Sequence, residues 1–158
     1  MEGESTVSDP ASLKERLASE LKGAMKAGDK LRLATLRLLT AAVKNREVEL
    51  LHELSDEELR EVALKEVKRR NEAMEAFGAA GRDELVAKER AERELLMPYI
   101  PEQLSDEEVD TFVDEAIAAT GATTPQEMGK HMGVVMGKVK GRADGAVIRA
   151  KVRARLGG

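Results

Sequence analysis

Residues 30–51 read KLRLATLRLLTAAVKNREVELL, and this stretch decides the fold class. Its apolar positions recur at three- and four-residue spacing, which is typical of a helix, and they extend round most of the circumference. They are Leu31, Leu33, Ala34, Leu36, Leu38, Leu39, Ala41, Ala42 and Val43, against a polar strip of Arg37, Thr40, Lys44 and Glu47. A helix that is apolar nearly all round is buried against several neighbours. We therefore predict that this is the central helix of an all-α core.

The composition of the whole chain favours the same fold class. Of 158 residues, 42% are hydrophobic and 35% are charged, while the aromatic residues are only Phe77, Tyr99 and Phe112. β-sandwiches and barrels favour aromatic and β-branched residues, so this composition argues against them. The chain contains no cysteine, which excludes disulfides and fits a reducing compartment. No apolar run reaches membrane-spanning length, and we predict a cytoplasmic protein without membrane association.

Two helix starts can be predicted from short repeated patterns. Residues 54–59 (LSDEEL) and 104–109 (LSDEEV) each place a glutamate three residues after a serine, between apolar flanks. In such a capping box the serine and glutamate side chains satisfy each other's backbone amides. Acids in a first turn also suit the helix dipole. We interpret these carboxylates as caps and not as an acid–base pair.

The clearest domain boundary lies at residues 97–101, MPYIP, where two prolines interrupt the helical pattern. Residues 1–10 lack apolar periodicity and are predicted to be a disordered tail. The sequence thus predicts an N-terminal multi-helix domain over residues 11–97. A small C-terminal domain with three helices follows over residues 98–158.

The C-terminal end differs from the body of the chain in charge and in glycine content. Residues 129–158 carry a net charge of +7, whereas the preceding residues carry −11. In the same region glycine recurs at every fourth position, at Gly129, Gly133, Gly137, Gly141 and Gly145. The spacing places glycines on one face of a helix, where each costs about 1 kcal/mol relative to alanine. Two explanations remain open: tight packing against a neighbouring helix, or close approach by a ligand.

No catalytic or metal-binding constellation is recognisable. Residues 133–138, GVVMGK, have three residues between the glycines and lack the serine or threonine of a phosphate loop. His52 and His131 lie far apart, without the neighbouring ligand spacing that a metal site needs. No serine or threonine is paired with a base. We therefore predict a protein that is not an enzyme and has no cofactor and no metal.

The basic end indicates RNA binding. Lysine and arginine side chains contact phosphates, and exposed glycine backbone allows a phosphodiester to approach. The segment has no aromatic residue on which bases could stack, which favours structured RNA over single strands; DNA is not expected. The predicted RNA-binding residues are Lys130, Gly133, Gly137, Lys138, Lys140, Gly141, Arg142, Lys151 and Arg155.

Several of these segments together resemble the GatB/YqeY family, in particular its stand-alone YqeY-like members. The first is residues 128–145, MGKHMGVVMGKVKGRADG, followed by Val147, Lys151, Val152 and Leu156. The others are residues 97–104 (MPYIPEQL), 36–39 (LRLL), 41–45 (AAVKN) and 68–71 (KRRN). The resemblance covers nearly the whole chain after the tail.

The resemblance implies an all-helical, two-part fold related to the tail of the B subunit of tRNA-dependent amidotransferase. That tail grips tRNA, while a separate cradle domain, which has no counterpart here, performs the chemistry. A carbon–nitrogen ligase label, with glutamine as amido donor, would therefore be inherited by association only. The leading hypothesis is a non-catalytic tRNA-binding module with a glycine-laddered, basic C-terminal domain. The alternative is a protein–protein adaptor that docks on an amidotransferase or aminoacyl-tRNA synthetase subunit.

Overall fold

The computed structural model describes residues 12–121 and 124–157, and the predicted disordered tail (residues 1–10) lies outside this part. Within it the chain forms seven α-helices and no strand. The helices are α1 (Leu13–Ala27), α2 (Lys30–Leu50), α3 (Asp56–Ala79), α4 (Asp83–Leu96), α5 (Asp106–Thr120), α6 (Met128–Val139) and α7 (Gly145–Arg155). Short 3-10 turns occur at Met97–Tyr99 and Pro125–Glu127. The predicted all-α class is confirmed.

Both predicted capping boxes are present and define the starts of α3 and α5. The Glu58 amide donates to Ser55 Oγ at 3.1 Å, and the Ser55 amide donates to Glu58 Oε1 at 2.9 Å. Ser105 and Glu108 make the same two bonds at the same distances. The serine amides lower the pKa of both glutamates, because they stabilise the carboxylate form. These carboxylates are caps, as predicted.

The chain divides into two compact units after Ile100, whereas the sequence-based boundary follows residue 97. Tyr99 and Ile100 belong to the first unit because both are buried in its core. The Tyr99 hydroxyl donates to Glu20 of α1, and the Arg16 guanidinium lies 5.8 Å from the centre of the Tyr99 ring. Burial raises the pKa of the Tyr99 hydroxyl. The second unit begins at Pro101.

In the first unit, α2 contacts α1, α3 and α4. It contributes Leu36, Leu39 and Val43 to the core. The expectation that α2 is buried nearly all round is nevertheless wrong, because Leu31 and Leu38 are 38% and 42% exposed. The three neighbouring helices therefore leave some of the apolar residues of α2 exposed to solvent.

A buried ion pair within α3 has a further contact to α4 in the same unit. Arg70 and Glu66 are both almost fully buried, and Arg70 Nη1 donates to Glu66 Oε1 at 2.7 Å. Arg70 Nε also lies 3.4 Å from Glu92 Oε1 on α4. A buried guanidinium is tolerated because carboxylates compensate its charge.

The second unit contains α5, α6 and α7 around a separate core. Its buried residues are Val109, Val113, Ala116, Val135, Val139, Ile148, Val152 and Leu156. Residues further along α7 pair with residues further along α5, so these two helices run in the same direction. The predicted small C-terminal domain with three helices is confirmed.

Candidate nucleic-acid interface

The outward face of α6 is bare backbone. Gly129, Gly133 and Gly137 are exposed, and a Cβ atom added to any of them would have no neighbour within 4 Å. At about 100° per residue, these glycines lie on the side of the helix opposite its buried residues. The buried residues are His131, Val135 and Val139. This face is exposed because the core of the second unit contacts only the opposite side of α6.

This geometry excludes the helix-packing explanation of the glycine ladder for three of its members. Gly129, Gly133 and Gly137 are not packed against another helix. Gly141 instead adopts the left-handed conformation, with φ of 80°, in the turn after α6. At Gly145 an added Cβ would lie 3.8 Å from Met136 Cε. The ladder therefore consists of an open face, a turn residue and one contact position.

Three lysines lie beside the open face. Lys130 and Lys138 are on α6, and Lys140 caps its end with φ of 48°. All three are exposed, and none makes an ion pair within residues 12–121 and 124–157. Their positive charges are therefore available to an anion.

The turn between α6 and α7 is held by the segment that opens the second unit. The Leu104 amide donates to the Arg142 carbonyl at 2.7 Å, and Arg142 Nε donates to the Glu102 carbonyl at 3.1 Å. Gln103 Nε2 donates to the Gly141 carbonyl at 3.2 Å. These bonds fix Arg142 and Gly141 beside Lys140. Sequence reasoning missed this supporting role of residues 102–104, although they belong to the MPYIPEQL motif.

Lys151 and Arg155, also predicted to contact RNA, face α5. Lys151 Nζ lies 2.9 Å from Asp106 and from Asp110, while Arg155 pairs with Asp110 and Asp114. The lysine ammonium holds the pKa of the Asp110 carboxyl below its usual range, and Arg155 adds to this effect. Asp110 in turn raises the pKa of Lys151. The structure thus places Lys130 and Lys138 on α6 and Lys140 and Arg142 in the turn that follows it, whereas Lys151 and Arg155 lie in a separate ion-pair row.

The description of the C-terminal domain as basic needs correction. From Pro101 onward the chain has eight lysine and arginine residues against nine aspartate and glutamate residues. The acids are concentrated on α5, where Asp106, Asp110 and Asp114 pair with α7. The domain is close to neutral overall, and its positive charge is confined to α6, α7 and the turn between them.

The methionines and the histidine of α6 belong to the core of the second unit. Met128, Met132 and Met136 are half-buried and pack against the buried cluster. His131 is fully buried, and neither ring nitrogen has a hydrogen-bond partner within the described part of the chain. Burial lowers the pKa of His131, an effect that the Ala116 backbone partly opposes. Burial therefore favours the neutral imidazole.

Within the described ranges, 12–121 and 124–157, no group of three or more His, Cys, Asp or Glu side chains is arranged to hold a metal ion. The same part of the chain contains no helix long and apolar enough to cross a bilayer.

The fold and this surface define a class: two-unit, all-helical proteins whose small C-terminal unit displays a glycine-faced helix edged with lysines. Over residues 14–156 the sequence matches the family described as Yqey-like protein. The chain belongs to this YqeY-like family.

Relatives of the chain include fungal proteins named "Altered inheritance of mitochondria protein 41, mitochondrial". The protein from Eremothecium gossypii is 34% identical over 113 residues, which are 67% of this chain and 62% of the relative. The protein from Saccharomyces cerevisiae strain YJM789 is 33% identical over 95 residues, or 60% of this chain and 51% of the relative. The chain thus spans about half the length of this yeast relative. The printed name and the mitochondrial location belong to those fungal proteins.

Proposed function

We propose that the chain is a non-catalytic module that binds structured RNA, with tRNA as the expected ligand, through the glycine face of α6. The observation that carries the proposal is the combination of bare helix backbone and unpaired lysines on one surface. A phosphodiester backbone can approach a glycine face more closely than any other helix surface, and lysines beside it neutralise phosphates. The proposed contacts are Lys130, Lys138, Lys140 and Arg142, with Gly133, Gly137 and Gly141 permitting the approach.

Lys151 and Arg155 are less suited to bind RNA than the lysines beside the glycine face. Each already faces carboxylates on α5, so a phosphate would compete with Asp110 for them. We therefore assign them to the stability of the second unit first, and to RNA only if the α6 residues prove insufficient. The proposal also places the protein in the cytoplasm, which a cysteine-free sequence suits.

The test is equilibrium binding of bulk tRNA to the full chain across a salt series. A Lys130→Gln/Lys138→Gln/Lys140→Gln variant is expected to weaken binding and to reduce the slope of log K against log salt by about 3, near one unit per lost phosphate contact. Lys22→Gln/Lys26→Gln/Lys88→Gln is the matched control, because it removes three exposed lysines from the first unit. If both variants lose affinity equally, the binding is unspecific attraction and the site assignment is wrong.

The second hypothesis is a protein–protein adaptor whose basic end docks on an acidic subunit of an amidotransferase or aminoacyl-tRNA synthetase. The methionines of α6 are half-buried against the core, so this helix has no exposed apolar stripe on which a partner protein could dock. It predicts retention of a defined protein on the immobilised chain after nuclease treatment, which the triple lysine variant abolishes. Binding that disappears on nuclease treatment favours the RNA proposal.

A further inference from the structure

The exposed side of α2 carries a row of residues at heptad spacing, the α2 row, which is not buried in the core of the first unit. The row alternates steps of three and four residues and consists of Leu31, Ala34, Leu38, Ala41, Asn45 and Val48, all exposed. Val48 is 74% exposed, and Leu51, just beyond the helix, is 89% exposed. Single exposed apolar residues are ordinary, but an aligned row of them marks an interaction surface.

The spacing of this row is that of a helix–helix seam. At about 100° per residue, its six members fall within roughly 100° of the circumference over about 27 Å of helix. Alternating steps of three and four residues are the a and d positions of a coiled coil. Asn45 occupies an a position, where a polar residue fixes the register of the pairing. The row therefore matches a second helix about as long as α2.

A groove borders the row on the side of α3. Its volume is about 390 Å³, and its floor includes Leu38, Ala42 and Val62. Lys65 and Arg69 of α3 line its far side. A partner helix seated on the row can insert apolar side chains into this groove.

The charges around the row favour an acidic occupant. Lys30, Arg37 and Lys44 follow one edge at seven-residue spacing, and all are exposed. These three and Lys65 make no ion pair with another described residue, while the nearby acids Glu49 and Glu66 already pair with arginines. Four cations without a salt-bridge partner among the described residues therefore border the row, although the charge of Lys44 also helps to lower the pKa of Glu47 on the same helix.

The same charges argue against a second copy of this chain. In an antiparallel pair that overlaps the whole row, Leu38 would face Ala41 of the other copy, and the edge residue Arg37 would lie beside Lys44. In a parallel pair only Lys44 would face an acid, Glu49 of the other copy, and Arg46 already pairs with that acid. Nor does the row itself suit RNA, since its apolar side chains offer no donor or positive charge to a phosphate.

We propose that the α2 row and its groove bind an amphipathic helix of a partner protein, with apolar residues at heptad spacing and acidic residues along its edges. This site lies in the first unit and is independent of the proposed RNA surface in the second.

The test selects ligands for the full chain from a displayed library of three-heptad helical peptides. The a and d positions vary among Leu, Ala, Val and Asn, and the edge positions vary among Glu, Gln and Lys. We expect enrichment of Glu at the edges and Leu at the seam. Binding of an enriched synthetic peptide should weaken at least about tenfold in Leu38→Glu.

Val147→Glu is the matched control, because Val147 of α7 is 43% exposed, nearly the same as Leu38. An Arg37→Glu/Lys44→Glu variant should reverse the edge preference from Glu to Lys without touching the apolar row. Circular dichroism confirms that each variant is folded. The proposal is overturned by an absence of enrichment, by edge-independent enrichment, or by binding that Leu38→Glu leaves intact. It is also overturned if the unliganded chain sediments as a dimer that Leu38→Glu dissociates, because the occupant is then a second copy.

Discussion

Replacing Gly133 and Gly137 of α6 by alanine should stabilise the second unit. An alanine in a helix interior is about 1 kcal/mol more favourable than a glycine, so the pair should gain about 2 kcal/mol. No steric cost opposes this gain, because an added Cβ at either position meets nothing within 4 Å. For a unit of this size the melting temperature should rise by roughly 8–16 °C. A denaturant titration followed by circular dichroism measures the change in the free energy of unfolding, and a thermal melt measures the shift in melting temperature.

The same variant should bind tRNA more weakly. The two methyl groups hold a phosphodiester away from the helix and lengthen its contacts with the neighbouring lysines. A loss of one charge-assisted hydrogen bond corresponds to about a tenfold rise in Kd. Fluorescence anisotropy with labelled tRNA measures this.

Gly23→Ala separates stability from binding. Gly23 lies within α1, is exposed and has open space around it. This change should add about 1 kcal/mol to the first unit and leave tRNA affinity unchanged. A stabilised Gly133→Ala/Gly137→Ala variant that binds tRNA as tightly as the parent would refute the close approach, and an absence of stabilisation would refute the open glycine face.

Three further predictions concern buried and paired charges. Arg70→Ala removes the buried partner of the Glu66 carboxylate and leaves it only the exposed Arg69, so it should cost about 3 kcal/mol, measured by urea denaturation. His131 has a lowered pKa, so the unfolded chain binds the proton more readily; stability should fall as the pH drops through the ordinary value of 6.5, and His131→Leu should remove this dependence. Asp110→Asn removes the negative charge that faces Lys151 and Arg155 and should lower the melting temperature, with a smaller effect at high salt, whereas a salt-independent loss would contradict the ion-pair explanation.

The helix starts were predictable because their causes are local. Ser55 with Glu58, and Ser105 with Glu108, need only neighbours within one turn, and those neighbours are fixed by the sequence. The four-residue glycine spacing of α6 was also evident from the sequence. Its exposure was not, because sequence alone does not show which side of α6 the core occupies.

The tertiary contacts could not be predicted either, because sequence alone does not show which helices lie next to each other. Lys151 and Arg155 look like free cations in the sequence, yet the acids that pair with them are about forty residues earlier, on α5. Leu31 and Leu38 look like core residues in the sequence, but none of the described helices of the first unit covers them fully. Sequence periodicity predicts which residues need a partner, and not whether the chain itself provides it.

The ion-pair row between α5 and α7 has a consequence for how the second unit tolerates change. Asp106, Asp110 and Asp114 repeat at one-turn intervals, as do Lys151 and Arg155. A slip of α7 by one turn, about 5.4 Å, toward the end of α5 would keep Lys151 between two carboxylates and Arg155 beside one.

The charges therefore specify the direction of α7 along α5 but discriminate weakly between neighbouring registers. Ile148 and Val152 occupy the core, and the turn before α7 is bonded to Leu104, so apolar shape and backbone bonds select the register. Exchange of acids for bases between the two helices should thus preserve the architecture, whereas altered core volume would permit alternative alignments.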